Sequence, residues 1–91
     1  MKTVRAIVSG FVQGVGYRAF VEANASERDL KGWVCNRRNG NVEAVFAGED
    51  EDVDEMLRLL KTGPRFAQVA SVEELPQEDE GWTNFEVLPT S

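Results

Sequence analysis

The stretch Gly10-Phe11-Val12-Gln13-Gly14-Val15-Gly16-Tyr17-Arg18 collects the residue types an anion site needs. An apolar, β-branched run feeds a turn with two glycines two residues apart, and the turn opens a helical pattern. Backbone N–H groups at a helix start have no intrahelical partner, and the helix dipole is positive there, so anions settle at such ends. Gly14 and Gly16 leave no side chain to hold a ligand off the backbone. Arg18 falls in the first helical turn, where a cation opposes the dipole. An anion held between the two positive elements accounts for that placement, because a guanidinium grips a phosphate through two parallel hydrogen bonds. On physical grounds alone, a surface arginine with its stem on apolar neighbours carries equal weight. The second candidate is Asn36, near the end of a later strand. An amide is no general base, yet it can accept a hydrogen bond from water and hold that water in line. Closing a strand ahead of a turn is the commoner role for an asparagine in such a place.

Other chemistry is disfavoured by what surrounds these residues. Gly14, Gly16 and Ala19 fit the G-x-G-x-x-A pattern of dinucleotide-binding turns. That pattern wants an acidic residue about 20 positions on, where this chain has Asn36, Arg37 and Arg38. The chain has no histidine and one cysteine, Cys35. Strand alternation turns Cys35 to the face opposite Asn36, so a buried small hydrophobe is its better reading. No His/Cys cluster or carboxylate pair stands at ligand spacing near the loop, so no metal and no cofactor are expected. A lone cysteine rules out an internal disulfide framework and suits a reducing cytoplasm.

The elements that must position the loop and Asn36 follow from periodicity. Thr3–Phe11 reads as a strand and Arg18–Leu30 as a helix with a weak apolar stripe. Gly32–Arg38 reads as a strand. Asn39-Gly40 then predicts a tight type I′ hairpin turn into the strand starting at Val42. Glu49–Thr62 is the clearest helix, with Val53, Met56, Leu57 and Leu60 at helical spacing and Gly63-Pro64 as its stop. Ala67–Leu75 is a strand, Pro76–Thr83 an acidic loop, and Asn84–Leu88 a short last strand. Trp33, Phe46 and Phe85 are most simply core; Trp82, in the loop, would cap an edge. The order βαββαβ plus one edge strand predicts an α+β, ferredoxin-like split βαβ sandwich. In it an antiparallel sheet carries two helices on one face. That architecture hosts many functions and decides none.

With 91 residues the chain is read as one domain, 1–91. No apolar run reaches the roughly 20 residues of a membrane span, and Ala6–Val8 is too short and broken for a signal peptide. The net charge is −6, a poor prior for nucleic-acid binding. It divides unevenly: residues 1–40 carry +4 and residues 41–91 carry −10. A basic half could build a local anion site, depending on the fold. The acids of Asp50–Glu55 read as a solvated face.

Taken together, Gly10–Arg18 resembles the signature loop of the acylphosphatase family, in which Val-Gln-Gly-Val leads through Gly and an aromatic residue to Arg. Gly32-Trp33-Val34-Cys35-Asn36, followed by Asn39-Gly40 and Val42-Glu43, is similar to that family's second motif. Gly63-Pro64 with Ala67 and Val69 is similar to its close of the second helix. The likeness runs in register from Val4 to Val87. It implies the same ferredoxin-like fold and hydrolysis of the carboxyl–phosphate bond of acyl phosphates. Gln13, Gly14, Val15, Gly16, Tyr17 and Arg18 would bind the phosphate, Arg18 would be the catalytic cation, and Asn36 would orient the attacking water. Phosphoryl transfer is mostly positioning and charge stabilisation, and an acyl phosphate brings a good leaving group, so neither metal nor covalent nucleophile is required. The implied partners are a small-molecule acyl phosphate, with inorganic phosphate or sulfate as competing anions; the chain would be a cytoplasmic monomer. Phe11 stands where a basic residue is common in the family, Asp29 where Gly is frequent, Arg28 where an apolar residue is usual, and Asn39 where Asp is frequent. A non-catalytic anion sensor of the same fold is the alternative, one that would have no need of Asn36. A domain of a larger maturation enzyme is a third reading; the start at Met1 and the lack of a linker weigh against it.

Overall fold

A computed structural model describes residues 1–91. Its elements run β1 (Lys2–Phe11), α1 (Tyr17–Glu27), β2 (Lys31–Asn36), β3 (Val42–Gly48), α2 (Asp50–Thr62), β4 (Gln68–Pro76) and β5 (Phe85–Val87). The strands form one sheet in the order β4-β1-β3-β2-β5. Side chains alternate across a strand, and here the alternation sorts the core. Val4, Ala6 and Val8 of β1 lie opposite Phe46, Ala44 and Val42 of β3. All six are buried against Tyr17, Val21 and Ala25 of α1 and Val53, Met56 and Leu60 of α2. This is the ferredoxin-like sandwich. Both helices pack on one face, and the other face is open.

Three details depart from expectation. The sheet is mixed, because β5 pairs parallel with β2. The loop after β4 carries the chain to the far edge and reverses it, so β5 runs alongside β2 in the same direction. The β2–β3 turn is wider than the two residues of a type I′ turn. Arg37 N–H donates to Asn41 C=O at 2.8 Å and Gly40 N–H to Arg37 C=O at 3.1 Å, which leaves Arg38-Asn39-Gly40 as the loop. Only Gly40 takes positive φ, at 96°; such three-residue loops place a glycine at the left-handed position. Trp33 is not core. Opposite Val45, it lies half-buried on the open face, with the Arg37 guanidinium 5.7 Å from its ring centre. Phe46 is buried as expected, and the half-buried Phe85 stacks on it at 5.6 Å.

Candidate active site

Between β1 and α1 the chain turns through two left-handed glycines, Gly14 (φ 76°) and Gly16 (φ 80°). A Cβ at either would meet nothing within 4 Å. The demand for glycine is therefore conformational, and the space above the loop is open. Gly16 is the N-cap of α1, and its carbonyl receives the first helical bond, from Phe20 N–H at 3.0 Å. No backbone N–H from Gln13 through Ala19 donates to a protein acceptor. The first turn of α1 holds no acidic residue. A row of free donors at a positive helix end thus borders a cleft of about 490 Å³, whose wall includes Gly14, Gly16, Arg18 and Asn36.

The loop is held from beneath. Gln13 Nε2 donates to Arg37 C=O at 2.7 Å and to Asn41 C=O at 2.8 Å, so its side chain fastens the loop to the β2–β3 turn. Gln13 does not line the cleft, nor does Val15, which packs on the core. Tyr17 lines the cleft only from a buried position. Its hydroxyl donates to Leu60 C=O at 2.7 Å, closing an end-of-helix carbonyl that α2 cannot satisfy itself. Burial raises the Tyr17 phenol far above its usual range, so it stays protonated. Of the six loop residues in the expected binding set, the structure brings Gly14, Gly16, Tyr17 and Arg18 to the cleft. Gln13 and Val15 belong to the turn but do not line the cleft.

Asn36 reaches the same cleft from another part of the chain. In β2 it lies opposite Val42, on the helix-bearing face, at the strand's end. It is 8% exposed, and its Oδ1 is buried with no hydrogen-bond partner. A buried unpaired acceptor costs about 1–3 kcal/mol, so its presence on a polar cleft wall is itself informative. Arg18 is half-buried and donates from Nη1 to Leu88 C=O at 3.4 Å. Sequence reasoning missed two features. Glu22 lines the cleft one turn beyond Arg18, a position readable from the i, i+4 spacing on one helix face. Val87 and the segment after it also reach the site, which depends on the parallel β5 and had no local signal.

The basic half of the chain does not converge on this cleft. Arg18 is the only cation lining it. Arg5 and Arg37 lie on the open face of the sheet, each 2.7 Å from Glu43, while Lys2 pairs with Asp54. Burial works to raise the Glu43 carboxyl, but hydrogen bonds from Arg5 and Arg37 outweigh it and hold the group below its ordinary value. Cys35 is buried opposite Glu43, across the sheet from Asn36, as alternation requires. No group of three or more His, Cys, Asp or Glu side chains is placed to hold a metal ion.

The split βαβ sandwich thus sets a glycine turn, a first-turn arginine and a strand-end asparagine on one cleft. The acylphosphatase family model matches residues 4–87. An acylphosphatase of Rhodopseudomonas palustris is 55% identical over 69 residues, covering 76% of this chain and 70% of that protein. One from Alcanivorax borkumensis is 48% identical over 91 residues, covering 96% and 99%. The crystal structure of acylphosphatase from Bacillus subtilis superposes with a TM-score of 0.93 at 36% identity, covering 97% of this chain and 99% of that one. The chain belongs to the acylphosphatase family.

Proposed function

We propose that this chain hydrolyses the carboxyl–phosphate bond of acyl phosphates, using the loop Gln13–Arg18, Arg18 and Asn36, with neither metal nor covalent intermediate. Backbone N–H groups of the loop and the Arg18 guanidinium hold the phosphoryl oxygens. Asn36 Oδ1 accepts a hydrogen bond from a water and aims its oxygen at phosphorus. As that P–O bond forms, the bond from phosphorus to the carboxyl oxygen breaks. The electron pair leaves on the carboxylate, and both water hydrogens end on dihydrogen phosphate. The carboxylate leaves without a proton, so no general acid is called for, and positioning plus charge stabilisation supply the catalysis.

One observation carries the reading: the buried, unpartnered Asn36 Oδ1 shares a cleft with Arg18 and the free loop donors. A pure anion sensor has no use for an acceptor there, since an acceptor repels a phosphate. Inorganic phosphate and sulfate are the expected competitive ligands. The acidic balance and single Arg in the cleft argue against a nucleic-acid partner. One unpaired cysteine suits a reducing compartment, the cytoplasm, and no helix is long and apolar enough to cross a membrane. A monomer is sufficient, because the loop, Arg18 and Asn36 all come from one chain. Turnover of benzoyl phosphate before and after exhaustive chelation tests the proposal. Full activity in chelator, with competitive inhibition by phosphate, is expected. A chelator-induced loss restored by added metal contradicts it, as does a folded protein that binds phosphate without turnover.

A further inference from the structure

After β5 the chain does not leave the site. Leu88 N–H donates to Val34 C=O at 2.9 Å, continuing the parallel pairing with β2. Its carbonyl accepts from Arg18 Nη1. Three residues on, Ser91 N–H donates to Asn36 C=O at 3.1 Å, and Arg38 N–H donates to Ser91 C=O at 3.2 Å. The Ser91 hydroxyl accepts from Arg37 Nη1. One short segment, Leu88–Ser91, therefore touches both groups assigned to the chemistry. At its start it supplies the only protein acceptor of the Arg18 guanidinium. At its end it holds the backbone from which the Asn36 side chain projects.

We propose that Leu88–Ser91 is a positioning strap that sets Arg18 and Asn36 relative to each other; this rests on the hydrolytic reading above. The need for it follows from where those residues sit. Arg18 is on a long, flexible side chain at a helix start, where the dipole disfavours its charge. Asn36 is the last residue of β2, next to an exposed turn. Neither position is fixed by core packing alone, and small misplacements at a reacting centre cost rate steeply. The two ends of the strap act on different steps. Ser91 acts through Asn36, hence on turnover. Leu88 acts through Arg18, hence on phosphate affinity.

The test is a pair of backbone-donor deletions assayed on benzoyl phosphate, with melting temperature and circular dichroism as checks of folding. Ser91→Pro removes the N–H bonded to Asn36 and should lower kcat about tenfold, leaving the phosphate inhibition constant within about twofold. Leu88→Pro releases the strap at Val34 and should weaken phosphate inhibition by about threefold. Ser91→Thr, which keeps hydroxyl and N–H, should restore wild-type kcat. An exchange measurement on the unmodified protein covers the case in which a proline variant does not fold. Linkage is reciprocal, so saturating phosphate should slow amide exchange at Leu88 and Ser91. A folded Ser91→Pro with wild-type kcat overturns the strap, as does exchange at both amides indifferent to phosphate. Asn36→Ala run alongside separates the two failures: if it is inactive while Ser91→Pro is fully active, only the strap is wrong, and if Asn36→Ala is itself fully active the water-orienting role of Asn36 goes as well.

Discussion

Arg18 carries its charge into the first turn of a helix with no acidic residue there to offset it. Its one protein acceptor is a carbonyl at 3.4 Å, and Glu22, one turn on, makes no ion pair with it. The guanidinium is thus left free for a ligand. A fork of two parallel N–H groups fits a phosphate, and a lysine ammonium cannot copy it. Arg18→Lys should raise the inhibition constant for phosphate and lower kcat together, by at least about tenfold, the worth of a hydrogen bond to a charged group. Steady-state inhibition kinetics check this; unchanged affinity would place the anion elsewhere. At this scale the sequence pointed to Gly14, Gly16, Tyr17, Arg18 and Asn36, which line one cleft, but not to Glu22 or Val87, which line it too. Gln13 and Tyr17 were legible as members of the loop, but their side chains were not. Gln13 stitches the loop to the β2–β3 turn and Tyr17 closes the end of α2, bonds to residues 24 and 43 positions away that no local pattern announces.

Helix α1 ends on a full C-terminal capping pattern. Leu30 N–H donates to Ala25 C=O at 2.9 Å and Asp29 N–H to Ser26 C=O at 3.1 Å, which puts Asp29 at the left-handed position with φ 56°. That position favours glycine, and a non-glycine residue there costs about 1 kcal/mol or more. Asp29→Gly gives up an exposed ion pair with Lys31 that is worth little. It should stabilise the protein by about 0.5–1 kcal/mol, read as a rise of a few degrees in Tm; a fall in Tm would show that the Asp29–Lys31 pair matters more than the backbone. The elements themselves were legible because the apolar spacing agrees with the fold along most of the chain. The misses share one cause, which is long-range pairing. The parallel β5 depends on a crossover between sheet edges, the wider β2–β3 turn on the pairing of Arg37 with Asn41, and the exposure of Trp33 on which sheet face receives the helices.

Across the whole molecule the sheet separates two kinds of charge. One face and its end hold the cleft lined by Arg18 and Asn36; the open face holds Glu43 between Arg5 and Arg37. Because the folded-state carboxyl of Glu43 lies below its ordinary value, the stabilisation is complete above about pH 4.3, the unfolded value. It fades as pH falls through the lower folded value. Glu43→Gln should therefore lower Tm at neutral pH and make Tm less steep in pH on the acid side. Parallel Tm-versus-pH curves for the two proteins would count against this if they kept a constant gap. The cleft, by contrast, is assembled from two crossings of the chain, the start of α1 giving Arg18 and the end of β2 giving Asn36. The measurement that tests this division most directly is kcat for benzoyl phosphate beside the phosphate inhibition constant, in the wild type and in a folded Asn36→Ala. Removing one positioned polar group at a reacting centre typically costs about 10²–10³ in kcat. A loss of that order with a nearly unchanged inhibition constant is the predicted result, whereas wild-type turnover by Asn36→Ala would contradict it and leave Asn36 as no more than the end of a strand.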